Sequence, residues 1–404
     1  MDFKFSESLK NMKPSEIREL LKYASKKDFI SFSGGMPNPA TFPMDEIRDI
    51  IDEVMTSYGP LALQYGNTGG LNELREEISK MVKETESVKS EYLNIIVTSG
   101  SQQGLYELAK VMINPGDPII TEEPTYVGAI SAFDANKAEM HSIQLENDGM
   151  NVEMAESEIK KLVNAGRPPK FIYTIPTFQN PTGITMSLEK RKHLLEVSHR
   201  YSIPLVEDNP YGELRYYGKK VPSIKSMDTE GSVIYMGTFS KVMCPGFRLG
   251  YTIGTEDYVN RANLLKQALD LSSSTFSQYV AWLYLKRGVM KTMIPKAISL
   301  YRKKMDAMLS ALGNSFPEGS TWSKPEGGMF IWATLDKRIN TSTLLKDAIE
   351  EGIAYVSGNS FSPSRTQGSS MRLNFTFADE KLIHEGINRL GNLFSKKLEI
   401  LESA

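Results

Sequence analysis

The sequence predicts an α/β protein, with a large domain built on a mainly parallel sheet flanked by helices and a smaller α+β domain. Three observations carry that prediction. From residue 95 to about 255, short apolar runs alternate with helical patterns, as βαβ units require. Long helical patterns then dominate, over roughly 257–270, 276–289 and 293–311. A smaller unit follows, with apolar runs at 329–332, 353–356 and 371–375 and helical patterns near 342–351 and 379–396. The expected division is 1–50 for an N-terminal arm and part of the small domain, 51–295 for the large domain and 296–404 for the C-terminal small domain.

At 404 residues the chain can bury a large core in two or three domains. A net charge of -2 without a basic block gives no electrostatic reason to expect a nucleic acid or an acidic membrane as partner. One cysteine, Cys244, excludes an internal disulfide framework and a cysteine cluster for zinc. The four histidines show no ligand spacing, so no metal site is expected, and no Gly-x-Ser-x-Gly turn supports hydrolysis by a serine triad. Residues 1–13 are polar without an apolar h-region, and no stretch approaches the roughly 20 apolar residues of a membrane span. The expected location is the cytoplasm.

In chain order, residues 14–27 read as a helix, with Ser15 able to cap and Ile17, Leu20, Leu21 and Ala24 on one face. The short strand after Ile30 runs into Gly34, Gly35 and two prolines; the glycines suit either close approach to a ligand or a plain turn. A glycine-rich loop over 63–70 opens a helix with Leu71, Leu74, Ile78, Met81 and Val82 inward, and Tyr65 before it is either a core ring or a phenol aimed at a ligand. The strand at 95–98 leads through Gly100, Ser101 and Gln102 into a helix. That turn is an anion site by its dipole, although Ser101 could equally serve as a cap. Further strand ends carry Tyr126, then Asn180 held extended before Pro181, then Asp208 and Tyr211. In an open α/β sheet, ligands bind at these carboxyl ends.

The stretch 234–254 organises the rest. An apolar run ends in Ser240-Lys241, and Arg248 follows the bend at Pro245 and Gly246. A buried amine beside a hydroxyl and a fixed cation suits a lysine that forms a Schiff base with a phosphorylated aldehyde, with Ser240 and Arg248 on the phosphate. Taken alone, the same residues also fit a loop-edge lysine and an ordinary ion-pair partner. Arg372 is a cation inside an apolar strand pattern: either it captures a carboxylate or it occupies an exposed position of an edge strand.

Together Ser-Gly-Ser-Gln-Gln (99–103), Glu-Pro-Thr-Tyr (123–126), Asn-Pro-Thr-Gly (180–183), Asp-Asn-Pro-Tyr (208–211), Ser240-Lys241, Arg248 and Arg372 resemble the fold-type I, class I/II pyridoxal phosphate aminotransferases. The resemblance covers nearly the whole chain. The opening Ser-Gly-Gly-Met-Pro-Asn-Pro and Leu63-Gln-Tyr65 are most similar to the subgroup of α-aminoadipate (kynurenine) and archaeal aromatic or broad-specificity aminotransferases. Asn209 departs from the second Asp that many of that subgroup carry.

The resemblance implies a seven-stranded large-domain sheet, pyridoxal 5'-phosphate as cofactor, and a homodimer with shared active sites. It assigns Lys241 to the Schiff base and to proton transfer, Asp208 to the pyridine nitrogen, and Tyr211 and Asn180 to the ring oxygen. Tyr126 would stack on the ring. Gly100, Ser101, Gln102, Ser240 and Arg248 would hold the phosphate, and Tyr65 would reach the phosphate or substrate of the neighbouring subunit. Arg372 with Asn180 would clamp the substrate carboxylate, beside the backbone of Gly35. The implied reaction moves an amino group from an L-amino acid, aromatic, 2-aminoadipate-like or branched, to a 2-oxo acid such as 2-oxoglutarate. A β-lyase would keep the same cofactor residues, whereas a cofactor-binding transcriptional regulator would need an N-terminal winged-helix unit, and only about 30 residues precede Ser33.

Overall fold

Apolar runs that are hydrophobic at every position, rather than at alternate ones, form strands covered on both faces. The computed structural model describes residues 3, 4, 16–22 and 29–403. Its strands, along the chain, begin with β1 (Ile30–Ser31), β2 (Ile95–Thr98), β3 (Pro118–Glu123), β4 (Glu139–Glu146), β5 (Gly149–Met150), β6 (Ile172–Thr174), β7 (Leu205–Asp208), β8 (Val233–Thr238) and β9 (Gly250–Ile253). All but β1 form one sheet, in the order β2-β9-β8-β7-β6-β3-β4-β5. Pairing is parallel from β4 through β3, β6 and β7 to β8, while β9 runs antiparallel to both neighbours. Seven strands make the sheet as expected, and the two-residue β5 adds a hairpin return at its edge.

Residues of β2, β3, β6, β7 and β8 are buried throughout. Successive side chains point to opposite faces: Tyr173 and Val206 join the core beneath Leu105, Leu108 and Phe133, whereas Ile172 and Leu205 join that beneath Ile159 and Leu194. β4, flanked on its outer side only by the two-residue β5, is mostly exposed or half-buried, without a continuous apolar run, which is why no strand is legible there from the sequence.

The small domain holds β10 (Thr321–Trp322), β11 (Phe330–Thr334), β12 (Ile353–Ala354), β13 (Val356–Ser357) and β14 (Ser370–Asn374). Four of these form an antiparallel sheet in the order β10-β11-β14-β13. β1 pairs in parallel with β12, Ile30 opposite Ile353, and so ties the N-terminal segment to this unit. The helix expected over 14–27 is described as Glu16–Leu21; Ser15, Ala24 and the side chains of Ile17 and Leu21 lie outside the described residues. The Glu16 carboxylate accepts from Ser357 N at 2.8 Å and from Ser360 Oγ at 2.8 Å, so this helix sits on the small domain. The helical pattern at 276–289 divides: one helix ends at Lys286, Gly288 turns at φ 68°, and Val289–Ser315 continues. Among the described residues no helix is long and apolar enough to cross a membrane.

Gly250 lies where β9 passes the start of the helix Ser101–Met112. An added Cβ would stand 2.6 Å from Ser101 N and 2.8 Å from the carbonyl carbon of Gly100. Gly250→Ala is therefore expected to cost about 1–3 kcal/mol through overpacking. The check is the denaturant midpoint, which should fall; an unchanged midpoint would show that the turn gives way freely.

Candidate active site

The carboxyl ends of β2, β3, β6, β7 and β8 meet the small domain around a cavity of about 580 Å³. That volume suits a cofactor with a small substrate. Eleven of the thirteen residues singled out from the sequence line it: Gly35, Ser101, Gln102, Tyr126, Asn180, Asp208, Tyr211, Ser240, Lys241, Arg248 and Arg372. Gly100 lies against Arg248, and Tyr65 lies elsewhere.

One end of the cavity is built for an anion. The helix Ser101–Met112 starts there, and its dipole places partial positive charge at Ser101 and Gln102. Gly100 is the N-cap, at φ 80°, and no side chain caps the helix, so Ser101 is not the cap that its hydroxyl allows. That φ favours glycine, and a Cβ on Gly100 would stand 2.5 Å from Arg248 Nη2 and so displace the guanidinium. Arg248 has left-handed backbone geometry, φ 52°, which costs a side-chain-bearing residue about 1 kcal/mol or more. Its Nη1 donates to Ser240 Oγ at 3.4 Å and to Pro245 O at 3.3 Å. Gln102 donates to Gly128 O at 2.8 Å and meets the Tyr126 hydroxyl at 3.4 Å.

In the middle of the cavity lies Asp208, at the end of β7 and 2% exposed. Tyr173 donates its hydroxyl to Oδ2 at 2.8 Å, while Oδ1 is buried with no hydrogen-bond partner among the described residues. Burial pushes this carboxyl up to about 6, and the Tyr173 bond opposes the rise. Asn180 Nδ2 donates to the Tyr211 hydroxyl at 3.2 Å. Lys241 follows β8 by three residues, and its Nζ donates to the Gly35 carbonyl at 2.7 Å. Burial, reinforced by the charges of Arg372 and Arg248, brings the amine down to about 8.

The opposite end belongs to Arg372. It lies in β14 between β11 and β13, so it is interior to the sheet and not on an edge. At 1% exposure it donates to Asn180 Oδ1 at 3.0 Å and to the Ser33 carbonyl at 2.7 Å, and its Nε has no partner among the described residues. The rings of Phe330 and Phe361 lie 4.1 Å and 4.9 Å from the guanidinium carbon. Burial brings this group down to about 10.

Several contributors are absent from the sequence reading. Tyr173 and Phe330 lie within strands and look like ordinary core residues. Arg18 lines the cavity mouth from the N-terminal helix, where periodicity marks it only as a polar-face residue. Glu122, fully buried and raised to about 7 by burial, accepts from Gln179 at 3.0 Å and from the Thr174 hydroxyl, and so braces the turn that carries Asn180. Tyr65 is 82% exposed, neither a core ring nor part of this cavity. Asn209, the departure from the common pattern, donates to the Tyr235 hydroxyl at 3.0 Å and does not line the cavity. No cluster of metal-binding side chains occurs among the described residues.

Two features fit a phosphorylated pyridine aldehyde: a buried, unpartnered carboxylate oxygen on Asp208, and a glycine-floored anion cradle with a lysine amine between them. The family model described as aminotransferase class I and II matches residues 31–390. Aromatic-amino-acid aminotransferase 1 of Thermococcus litoralis is 46% identical over 98% of this chain and 95% of its own length. The 2-aminoadipate transaminase of Thermus thermophilus is 32% identical over 98% of each chain. The crystal structure of Pyrococcus horikoshii kynurenine aminotransferase in complex with PMP superposes with a TM-score of 0.94, at 45% identity, over 98% of this chain and 97% of that one.

The lowered Lys241 ammonium makes a pH prediction. Its unprotonated, nucleophilic fraction grows as pH rises and saturates above about 8. The rate at which the cofactor-free protein captures pyridoxal phosphate, followed by visible absorbance, should therefore rise about tenfold per pH unit below that value and level off above it. A rise continuing past pH 10 would mean an unperturbed lysine.

Proposed function

As the chain belongs to the class I and II aminotransferase family, and so is a pyridoxal phosphate-dependent aminotransferase, we propose that its amino donor is an L-amino acid with an aromatic, 2-aminoadipate-like or branched side chain. The acceptor in this reading is 2-oxoglutarate, and the two half-reactions alternate at one site. The observation that carries it is an amine with lowered proton affinity and a buried guanidinium that pairs with no carboxylate among the described residues, both lining one cavity.

Bound there, pyridoxal phosphate supplies the aldehyde that takes up the amino group and a conjugated ring that disperses the charge left when the Cα proton departs. Asp208 Oδ1 would hold a proton on the ring nitrogen, with Tyr173 fixing the carboxylate's orientation. Asn180 and Tyr211 would bind the ring oxygen, and Tyr126 would stack on the ring. Gly100, Ser101, Gln102, Ser240 and Arg248 would hold the phosphate. Arg372, with Asn180, grips the substrate α-carboxylate in two-point fashion next to Gly35. Lys241 would be the base that takes and holds the proton from the substrate Cα. Apolar side chains, Phe330, Val127 and Ile175, suit an aromatic donor, while Arg18 at the mouth suits the distal carboxylate of 2-oxoglutarate or 2-aminoadipate.

We further propose a homodimer in which Tyr65 reaches the neighbouring copy's site. Its ring projects from a loop outside its own cavity, beside Leu61 and Leu63 at 62% and 69% exposure, an apolar patch suited to a second copy.

Mixing the protein with candidate amino acids should bleach its visible band, and 2-oxoglutarate should restore it. Ammonia release without an acceptor would overturn the assignment of the reaction. Lys241→Ala should lower kcat roughly 1000-fold or more, and a variant retaining full turnover would remove Lys241 from the chemistry. Arg372→Lys should raise KM for both substrates roughly 10- to 100-fold, because an ammonium cannot reproduce the fork. Arg18→Ala should raise KM for 2-oxoglutarate about tenfold and leave an aromatic donor's KM unchanged; equal effects on both would argue against a role in side-chain recognition.

A further inference from the structure

Behind the anion cradle, outside the cavity, lies a buried ionic cluster that the proposed chemistry does not use. Lys266, on the helix Glu256–Leu269, is fully buried. Its Nζ donates to Gln103 Oε1 at 2.6 Å and to Asp270 Oδ2 at 3.0 Å, and Glu107 Oε1 lies 3.8 Å away. Gln103 Oε1 also accepts the backbone N–H of Ser99 at 2.6 Å, and Gln103 Nε2 donates to Asp270 Oδ2 at 2.6 Å. The Ser99 hydroxyl donates to the same Asp270 oxygen at 3.0 Å. Both the backbone and the side chain of Ser99 are therefore held by groups that Lys266 holds in turn.

Ser99 immediately precedes Gly100, whose lack of a side chain lets the cradle pass beneath Arg248 but also leaves that turn intrinsically loose. Burying an ammonium costs several kcal/mol even when it is paired, so such a cluster is a poor source of net stability. Its hydrogen-bond directions, however, fix a geometry that apolar packing would leave free.

We propose that Lys266, with Asp270 and Gln103, is a positioning strut for the phosphate cradle: it fixes Ser99 so that Gly100, Ser101 and Gln102 present a preformed anion site. This rests on the assignment of that turn to the cofactor phosphate. The strut acts on one end of the cofactor only. Its loss weakens binding of the phosphorylated aldehyde and spares that of the same aldehyde without phosphate.

The test titrates cofactor-free full-length protein, as wild type, Lys266→Met and Gln103→Ala, with pyridoxal phosphate and in parallel with pyridoxal, reading the visible absorbance of the lysine-bound ligand. Gln103→Ala lies on a half-buried helix position and keeps the ion pair, so it carries the test if Lys266→Met does not fold. The expected result is a loss of about tenfold or more in affinity for pyridoxal phosphate, with pyridoxal changed by less than about twofold. Equal losses for both ligands, or none, would overturn the strut. A wild-type protein that binds the two ligands equally well would instead overturn the phosphate assignment beneath it.

Discussion

Arg372 holds a positive charge in the interior of a strand, 1% exposed, and among the described residues no carboxylate pairs with it. Taking a guanidinium out of water in this way is unfavourable unless its donors and its charge are met. An amide oxygen, a backbone carbonyl and two ring faces meet them in part. What remains is a buried guanidinium whose Nε meets no partner among the described residues. The same charge adds to burial in lowering the proton affinity of Lys241.

That constraint explains the division of the molecule. The parallel sheet delivers polar groups from several strand ends to one edge, and the antiparallel small-domain sheet brings the arginine to face them. The junction is braced on both sides. Glu122 accepts from Gln179 Nε2, and Gln179 Oε1 accepts from Thr182 N at 2.9 Å, so both ends of this side chain brace the turn carrying Asn180. Thr125 N donates to Phe361 O at 2.8 Å, joining the segment before Tyr126 to one of the rings beside Arg372. Glu207, one residue before Asp208, is likewise buried but spends its oxygens on the N–H groups of Ile224 and Lys225. Of these two adjacent carboxylates only Asp208 keeps an oxygen free for a ligand.

Legibility followed the physics of each element. Strands β2, β6, β7 and β8 open on apolar runs because both faces are covered, and the polar residues that end such runs could be read as site residues. β4 was silent because a strand left mostly exposed or half-buried needs no such run. Tyr173, Phe330 and Arg18 were equally silent: nothing local distinguishes a phenol bonded to a carboxylate from a packed ring, or a helix arginine over a cavity from one in water.

By itself the sequence determined the α/β class, the succession of polar strand ends and, through their order, the resemblance to an aminotransferase, because period, turn chemistry and motif order are properties of neighbouring residues. Only the tertiary structure decided that Arg372 is interior rather than at an edge, that Ser101 leaves the helix without a side-chain cap, that Tyr65 lies outside its own cavity, and that Lys241 is partly withdrawn from solvent. Each of these depends on which distant segments exclude water from a group, and desolvation is set by the packed whole rather than by the local chain.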